Sequence, residues 1–410
     1  MEDNSEAISV LNEVYALSER EPQQVSDKIN TIRQLKKEKT EIPAELLILS
    51  EFVYPFETLH KRGLYEHLLV DDYGLSNATT IKFGQHRIKR IQELFGDAKV
   101  LDISCGCGGQ LLESCKEGIN VAGVEKDPLR CLLAKINVNL AHFHNYISVK
   151  PQIVNDDALS PATVKLAAEF EVVLCDSLRI SGAYFPELNE LRKFYPQKYI
   201  VYELRPLENI QHLLQQYPFL SKNAEVEFYG EEDRCSRLTA YIGRGKSIKF
   251  FQEDELLNAE LSYPPERMES AALQTQQKLS SEFPTHDFFV LNRCLVDNYF
   301  VALLNLSICA VDKKRYLCEF SPAKDSKINP LKIFYTVESS TDIKELTAFL
   351  QDNFEEYTTA LRFEIPSGEY WDFIKENKLV TNRDSVYRFS LFKFNGVYHL
   401  AEEKSRLPVD

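Results

Sequence analysis

The ten residues Val100–Gly109, "VLDISCGCGG", join a short apolar run to an acid and then to three glycines. The residues that follow, "QLLESCKEG", are typical of a helix. Glycine at a turn between a strand and a helix permits positive φ and lets the backbone approach a ligand closely. The start of such a helix presents N–H groups that attract a carboxylate or a phosphate. The stretch therefore predicts a ligand-binding loop between a β-strand and a helix.

The cysteines of this stretch raise a different interpretation, a metal site. Structural zinc sites usually have four ligands, commonly arranged as pairs with two to four residues between the cysteines. Here Cys105 and Cys107 are separated by one residue, and Cys115 has no C-x-x-C or H-x-x-x-H partner nearby. The spacing favours the glycine loop, and we expect no metal.

The glycine spacing and the next acid favour a nucleoside over a dinucleotide. A dinucleotide loop has the pattern G-x-G-x-x-G, whereas the third position here is Leu111. The next apolar run ends at Glu125, 23 residues after Asp102. A carboxylate at that place can accept hydrogen bonds from both hydroxyls of a ribose. The order of strand, acid, glycine loop, helix, strand and acid therefore predicts a nucleoside-binding half-fold, and the alternative is a turn that uses glycine only to close.

Composition limits the kinds of partner and compartment. The chain has 410 residues and a formal net charge of −14, more than half of it in residues 251–410. Such a charge argues against general attraction to nucleic acid, so any contact with RNA must use a local basic patch. The sequence has neither an apolar run long enough to span a membrane nor the charged and apolar regions of a signal peptide. We expect a cytoplasmic protein with no membrane contact.

The pattern along the chain predicts three parts. Residues 1–95 are expected to form an N-terminal helical region that ends at Gly96. In residues 96–250, apolar runs such as "INVAGVEKD", "EVVLCDS" and "KYIVYEL" alternate with helical stretches, which indicates an α/β, Rossmann-like, doubly wound parallel sheet. The segments "EVEFYGEED" and "RLTAYIG" predict a closing hairpin. After a boundary segment, residues 265–410 are expected to form a C-terminal α+β domain.

The motif "DISCGCGG" resembles the first motif of class I S-adenosylmethionine-dependent methyltransferases, D-x-G-C-G-x-G-G, with Ser104 at the usual place of the first glycine. By this resemblance Asp102 organises the loop, and Glu125 holds the ribose of the cofactor. "NDDALS" is similar to the family's "GDAL" segment, which implies that Asp157 lies near the adenine amino group and Ala158 under the ring. The implied cofactor is S-adenosylmethionine, with S-adenosylhomocysteine as product. The implied cofactor-binding residues are Asp102, Ser104, Gly106, Gly108, Glu125, Asp157, Ala158 and Asp176.

The resemblance extends over roughly residues 60–405. "DDYGLSNATTIKFGQHRIKRI" is similar to the D-x-x-G-L-x-x-A-T-P element of archaeal-type RNA methylases, and the C-terminal part follows the element order of their THUMP-like domain. This implies an enzyme that modifies RNA, with a base or ribose of tRNA or rRNA as the target.

The implied catalytic residues are Asp176, Arg179 and Glu203. The family's catalytic segment reads D-P-x-R, whereas this chain has "CDSLR" and lacks the proline that stiffens the loop. Asp176 has two interpretations, orientation of the nucleophile or an N-cap for the following turn. Arg179 either contacts a phosphate or pairs with an acid such as Glu203. The proline-tyrosine clamp of N-methylases is absent, and Tyr184 is the nearby aromatic that can replace it.

These departures leave other functions open. A methyltransferase-like scaffold without catalysis fits "CDSLR", and a protein methyltransferase fits the negative charge if its substrate is basic. A protein partner is expected to bind through the N-terminal helices or the acidic C-terminal domain.

Two further groups of side chains have two interpretations each. The first group is a basic cluster in a predicted helix and consists of His86, Arg87, Lys89 and Arg90. This basic cluster either contacts RNA phosphates or forms a solvated face of the helix. The second group is aromatic and consists of Tyr370, Trp371 and Phe373. These side chains either stack on nucleic-acid bases or belong to the core, and we favour the core.

Overall fold

The computed structural model describes most of the chain, and the residues it describes divide into two compact units. The described ranges are 4–176, 178–180, 183–206, 208–231, 234–252, 255–262, 279–280, 282–284, 288–291, 308–310, 316–319, 332–366, 368–381 and 385–405. The first unit comprises 1–204, 223–225 and 239–245, and the second comprises 205–222, 226–238 and 246–410.

The first unit begins with the helical region that the sequence predicts. Its helices are α1 (Ser5–Arg20), α2 (Pro22–Glu38), α3 (Ala44–Ser50), α4 (Phe56–Lys61), α5 (Asp72–Asn77) and α6 (Ile81–Phe95). The Thr80 hydroxyl accepts a hydrogen bond from Phe83 N at 3.3 Å and so begins α6, and Gly96 ends it with φ of +67°. The predicted stop at Gly96 is confirmed.

A mostly parallel sheet follows. The elements of this part of the chain are β1 (Val100–Asp102), α7 (Gly109–Lys116), β2 (Val121–Glu125), α8 (Pro128–Phe143), β3 (Gln152–Asn155), α9 (Pro161–Leu166), a 3₁₀ turn (Ala167–Glu169), β4 (Val172–Cys175), β5 (Leu178–Ile180), β6 (Ala183–Phe185), α10 (Leu188–Phe194) and β7 (Tyr199–Leu204). Strands β5 and β6 form a separate antiparallel pair. Strands β3, β2, β1, β4 and β7 lie side by side in that order, and each neighbouring pair is parallel. The predicted parallel α/β sheet is confirmed.

The order of the strands in the sheet indicates where a ligand would bind. Starting from β1, the chain continues to β2 and β3 on one side, and β4 and β7 lie on the other. Ligands of open α/β sheets bind at the carboxyl ends of the strands, where the strand order reverses. Asp102 ends β1 and Glu125 ends β2, so both acids lie at this edge, next to the reversal.

The helical region and α8 share one apolar core. Leu11 and Val14 of α1 and Ile29 of α2 are buried in the same cluster as Leu133 and Ile136 of α8. The Ser18 hydroxyl accepts a hydrogen bond from Asn139 Nδ2 at 2.9 Å. The N-terminal helices are therefore packed elements of the first unit.

The remaining elements follow β7. They are α11 (Ile210–Gln216), α12 (Leu220–Asn223), β8 (Ala224–Glu231), β9 (Arg234–Ile242), β10 (Ser247–Gln252), β11 (Glu255–Ser262), β12 (Leu279–Ser280), β13 (Phe288–Leu291), β14 (Ile308–Ala310), β15 (Tyr316–Glu319), β16 (Lys332–Ser340), α13 (Ile343–Asn353), β17 (Tyr357–Leu361), α14 (Tyr370–Glu376), β18 (Tyr387–Phe394) and β19 (Val397–Ser405). Strands β8 and β9 are neighbours, as the predicted hairpin requires. The segment interpreted as a boundary contains the antiparallel pair β10 and β11.

The second unit contains a sheet of its own. Among the described residues its strand order is β12-β14-β15-β13-β16-β19-β18-β17, and α13 packs its apolar side on this sheet through Leu346 and Leu350. A C-terminal α+β arrangement is therefore present, as predicted. Our preference for a core position of the aromatic group is wrong for two of its members. Trp371 is 69% exposed and Tyr370 is 39% exposed, because the first turn of α14 faces solvent, whereas Phe373 packs on the core.

Within the part of the chain that the structure describes, no helix is both long enough and apolar enough to cross a membrane.

Candidate cofactor and catalytic site

The glycine loop has the backbone conformations that its sequence predicts. Gly106 has φ of +54° and Gly108 has φ of +88°, a region that side chains other than glycine rarely adopt. A Cβ at Gly108 would lie 3.3 Å from Ala134 Cβ of α8, so this glycine also permits close packing. A Cβ at Gly106 would have no atom within 4 Å, which means that the loop faces open space there.

Glu125 closes the loop from the neighbouring strand. Its carboxylate accepts hydrogen bonds from Gly106 N and from Asp127 N, both at 2.9 Å. Burial raises the pKa of Glu125, although these two backbone N–H groups and the Arg130 guanidinium oppose the rise. Gly106 and Glu125, which the sequence relates only through their spacing, are therefore in direct contact.

Asp102, Ser104 and Asp176 form a chain of hydrogen bonds between β1 and β4. Asp102 Oδ1 accepts from Ser104 N at 3.0 Å and from the Ser104 hydroxyl at 3.3 Å. The same hydroxyl accepts from Asp176 N at 2.7 Å. Burial raises the pKa of Asp102 to about 7, and the Ser104 N–H and the Arg87 guanidinium act in the opposite direction. These three predicted residues are brought together.

Asp157 and Ala158 lie in the loop after β3. Asp157 accepts from Leu159 N at 2.9 Å and pairs with Lys126 at 2.7 Å, and the Lys126 ammonium lowers its pKa. The Ala158 carbonyl accepts a hydrogen bond from the Tyr195 hydroxyl. The side chain of Asn155 donates to the Glu125 carbonyl at 2.8 Å, which joins this loop to the end of β2.

Arg87 is the cation at the base of the predicted catalytic residues. Its guanidinium is 1% exposed and lies 2.8 Å from Glu203 Oε2 and 3.8 Å from Asp176 Oδ2. It also donates to Gln110 Oε1 at 3.3 Å and lies over the Phe83 ring, 4.6 Å from its centroid. Burial lowers the pKa of Arg87, but Glu203 and Asp176 raise it by more, so the net direction is upward. Glu203, 1% exposed, also accepts from the Thr239 hydroxyl at 2.8 Å.

Both interpretations of the basic cluster on α6 are wrong for most of its members. His86, Arg87 and Arg90 are buried, and Arg90 pairs with Glu93 and Glu225. Lys89 alone of the four cluster residues is exposed. Because the sequence shows the positive charges but not their distant carboxylate partners, the cluster resembles a surface patch.

The other catalytic predictions concern Arg179, Glu203 and Tyr184. Arg179 belongs to β5, and its side chain lies outside the described residues, so its contact with a phosphate or an acid stays a prediction. Glu203 forms its ion pair in the described structure with Arg87. Tyr184 is buried, with its ring centroid 5.9 Å from that of Tyr202, and this position does not suit a clamp on a substrate base.

The cysteines of the loop behave as core residues. Cys105 and Cys107 are buried, and burial raises the pKa of both thiols. Metal ligation requires the thiolate, so this environment opposes it. Among the described residues, no group of three or more His, Cys, Asp or Glu side chains is arranged to hold a metal ion.

The sequence did not predict the roles of three residues at this site. Thr79 donates from its hydroxyl to Asp176 Oδ2 at 3.5 Å, Arg87 supports Asp176 and Glu203, and Tyr195 holds Ala158. Only Arg87 carried a usable signal, because it lies four residues after Phe83 and four before Ile91, on the apolar side of α6.

The residues at this edge fit the nucleoside-containing cofactor that the sequence implies. The open space above Gly106 is where a ligand can approach the backbone, and a Cβ there would intrude on it. Glu125 lies beside that space with oxygen acceptors for ribose hydroxyls. The peptide of Ala158 is held in place from behind by Tyr195.

Comparison with known proteins identifies the fold. No protein-family model matches the chain, and no curated protein sequence matches it. A candidate methyltransferase from Porphyromonas gingivalis W83 has a similar structure over 99% of this chain and 100% of its own, with a TM-score of 0.59 at 13% identity. A candidate class I S-adenosylmethionine-dependent methyltransferase from Listeria monocytogenes matches 62% of this chain and 93% of its own, with a TM-score of 0.33 at 13% identity. The chain thus shares the whole-length fold of the Porphyromonas protein.

Proposed function

We propose that this protein is an S-adenosylmethionine-dependent methyltransferase that acts on RNA. The observation that carries the proposal is the contact between the glycine loop and the acid of the next strand. Gly106 N donates to the Glu125 carboxylate at 2.9 Å, and the loop faces open space at Gly106. The Porphyromonas protein that shares the fold is described as a candidate methyltransferase, which supports the methyltransferase part of the proposal.

The residues of the edge have separate tasks in this proposal. The backbone at Gly106 and Gly108 binds the methionine part of the cofactor, Glu125 binds the ribose, and Asp157 with Ala158 binds the adenine. The cofactor supplies an activated methyl group on its sulfonium, so the protein mainly contributes proximity and orientation. Asp176, whose side chain is 25% exposed, accepts a hydrogen bond from the attacking atom of the substrate and orients it.

A basic corner beside Asp176 supports RNA as the substrate. Ile81 N donates to the Gly63 carbonyl at 2.8 Å and so joins the end of α4 to the start of α6. The exposed basic side chains of this corner are His60, Lys61, Arg62 and Lys82, and the exposed acids Glu57 and Glu66 flank the first three. Thr79, which contacts Asp176, lies two residues before the start of α6. A local patch of this kind is what an acidic chain needs to hold a phosphate backbone. The similarity of residues 265–410 to a THUMP-like domain stays an expectation from element order.

The test is calorimetric titration with S-adenosylmethionine and S-adenosylhomocysteine. We expect micromolar binding to the unaltered protein and an increase in Kd of about 10–100-fold for Glu125→Gln, because a hydrogen bond to a charged group contributes about 1.5–3 kcal/mol. Glu169→Gln changes an exposed glutamate of the 3₁₀ turn and is the matched control, with Kd unchanged.

The same protein is then incubated with total RNA and with total protein in the presence of methyl-tritiated cofactor. Label in RNA is the expected outcome. Label in protein alone would replace RNA by a protein substrate. Absence of cofactor binding up to about 1 mM, a binding free energy near −4 kcal/mol, would reject the enzyme in favour of the scaffold that "CDSLR" also fits.

A further inference from the structure

We infer that Ser104 is a positioning residue that holds the backbone of Asp176 in place for methyl transfer. The inference deepens the proposed function and rests on it for its catalytic meaning. The group that performs this task is the Ser104 hydroxyl, and two of its hydrogen bonds carry the inference. It donates to Asp102 Oδ1 at 3.3 Å and accepts from Asp176 N at 2.7 Å.

The position of this hydroxyl explains why it matters. Beyond the last paired residues of β1 and β4, Ile103 N donates to the Leu174 carbonyl at 2.9 Å and continues the ladder. On the opposite side, Cys105 N donates to the Val124 carbonyl at 3.1 Å. Asp176 N then meets a side chain instead of a backbone carbonyl. The serine hydroxyl therefore continues the contact between the two strands to Asp176, two residues beyond Leu174 and the residue that orients the substrate in the proposed function.

The Asp102 carboxylate sets the orientation of the Ser104 hydroxyl. Asp102 is 2% exposed, and its Oδ1 accepts from both the N–H and the hydroxyl of Ser104. When the hydroxyl hydrogen points to Asp102, a lone pair of the same oxygen faces Asp176 N.

The deciding experiment measures hydrogen exchange and turnover on matched variants. Ser104→Ala removes both contacts, and Ser104→Thr keeps the hydroxyl. Ser114→Ala removes a buried serine hydroxyl elsewhere, which donates to the Gln110 carbonyl at 2.9 Å within α7. We expect Ser104→Ala to accelerate exchange at the Asp176 amide by at least about tenfold, since the half-buried hydrogen bond of this amide is lost. Ser104→Thr and Ser114→Ala should leave that amide protected.

The kinetic arm uses methyl-tritiated S-adenosylmethionine and total RNA. For Ser104→Ala we expect kcat to fall at least about tenfold with the cofactor Kd within about threefold, and Ser104→Thr to recover most of kcat. Unchanged exchange at the Asp176 amide in Ser104→Ala would overturn the positioning role of Ser104. A kcat of Ser104→Ala equal to that of Ser114→Ala would overturn it as well. Ser104→Gly repeats both measurements if the alanine variant does not fold. If the unaltered protein does not bind the cofactor, the proposed function fails, while the exchange measurement still decides whether the contact exists.

Discussion

Asp102 is a carboxylic acid at the end of β1 whose surroundings disfavour its charge. It is 2% exposed, and burial raises its pKa from 3.8 to about 7 against the opposing influence of Ser104 and Arg87. Between about pH 4 and pH 7 the folded protein therefore holds a proton that the unfolded chain releases. Stability from this group is full below about pH 4 and is lost as the pH rises toward 7.

We predict that Asp102→Asn removes this pH dependence. Relative to the unaltered protein, the variant should gain about 2–3 kcal/mol in free energy of unfolding when the pH is changed from 5 to 8, which follows from a pKa difference of about three units. Urea denaturation of both proteins at the two pH values measures the change. Glu125 and other shared groups cancel in the comparison. Parallel curves for the two proteins would show that Asp102 is ionised across this range.

At the scale of residues, spacing predicts a site only where the chain is locally regular. The acid of β1, the glycines and the acid of β2 lie within one strand-loop-helix-strand unit, so the positions of Gly106 and Glu125 follow from the sequence. The contact of Ser104 with Asp176 does not, because 72 positions separate the two residues. Whether Ser104 has an acceptor or a donor beside it depends on how β4 pairs with β1.

At the scale of elements, α6 is the helix whose buried Arg87 contacts two of the predicted catalytic residues, Asp176 and Glu203. Phe83, Ile88 and Ile91 face the interior, and Arg87 and Arg90 are buried with them. The guanidinium of Arg87 pairs with Glu203 of β7, 116 positions away. Removing one partner of a buried ion pair leaves an uncompensated charge, which costs about 3–5 kcal/mol. Arg87 and Glu203 should therefore behave as one energetic unit.

We predict that Arg87→Met lowers the free energy of unfolding by about 3–5 kcal/mol. The double variant Arg87→Met, Glu203→Leu should cost less than the sum of the two single variants, because the remaining charge is removed with its partner. Lys89→Met, on the exposed side of the same helix, is the control and should stay within about 0.5 kcal/mol. Denaturant unfolding of the unaltered protein, Arg87→Met, Glu203→Leu and the double variant completes the cycle, and Lys89→Met is measured beside them. An Arg87→Met effect as small as that of Lys89→Met would mean that the pair is not buried in solution.

The same helix shows where sequence patterns lose information. Four basic or titratable residues in a row of five indicate a surface, since buried cations are rare. The exceptions are cations whose partners come from elsewhere in the fold, and here the partners are Glu203 and Glu225. A local pattern records the cation and its spacing but not its distant acid.

At the scale of the whole molecule, the helices that precede the sheet are connected to the cofactor loop through α8. Leu11 of α1 is fully buried against the core that includes Leu133. Farther along α8, the side chain of Asn137 donates to the carbonyl of Leu69 and to that of Cys107, both at 2.9 Å. The amide of Asn137 thus joins the helical region to the glycine loop, and damage to the packing of α1 should reach the loop.

We predict that Leu11→Ala lowers the free energy of unfolding by about 2–5 kcal/mol, the usual cost of a large cavity in a core. Leu47→Ala is the matched control, because Leu47 of α3 is 54% exposed, and its effect should stay within about 0.5 kcal/mol. Urea denaturation measures both. The sequence left open whether residues 1–50 belong to the fold or to the surface for a partner, and the two variants separate these cases. Equal, small effects of the two variants would make α1 an interface element. The expected difference makes α1 part of the packing that supports the cofactor loop. In that case the cofactor affinity of Leu11→Ala should fall together with its free energy of unfolding.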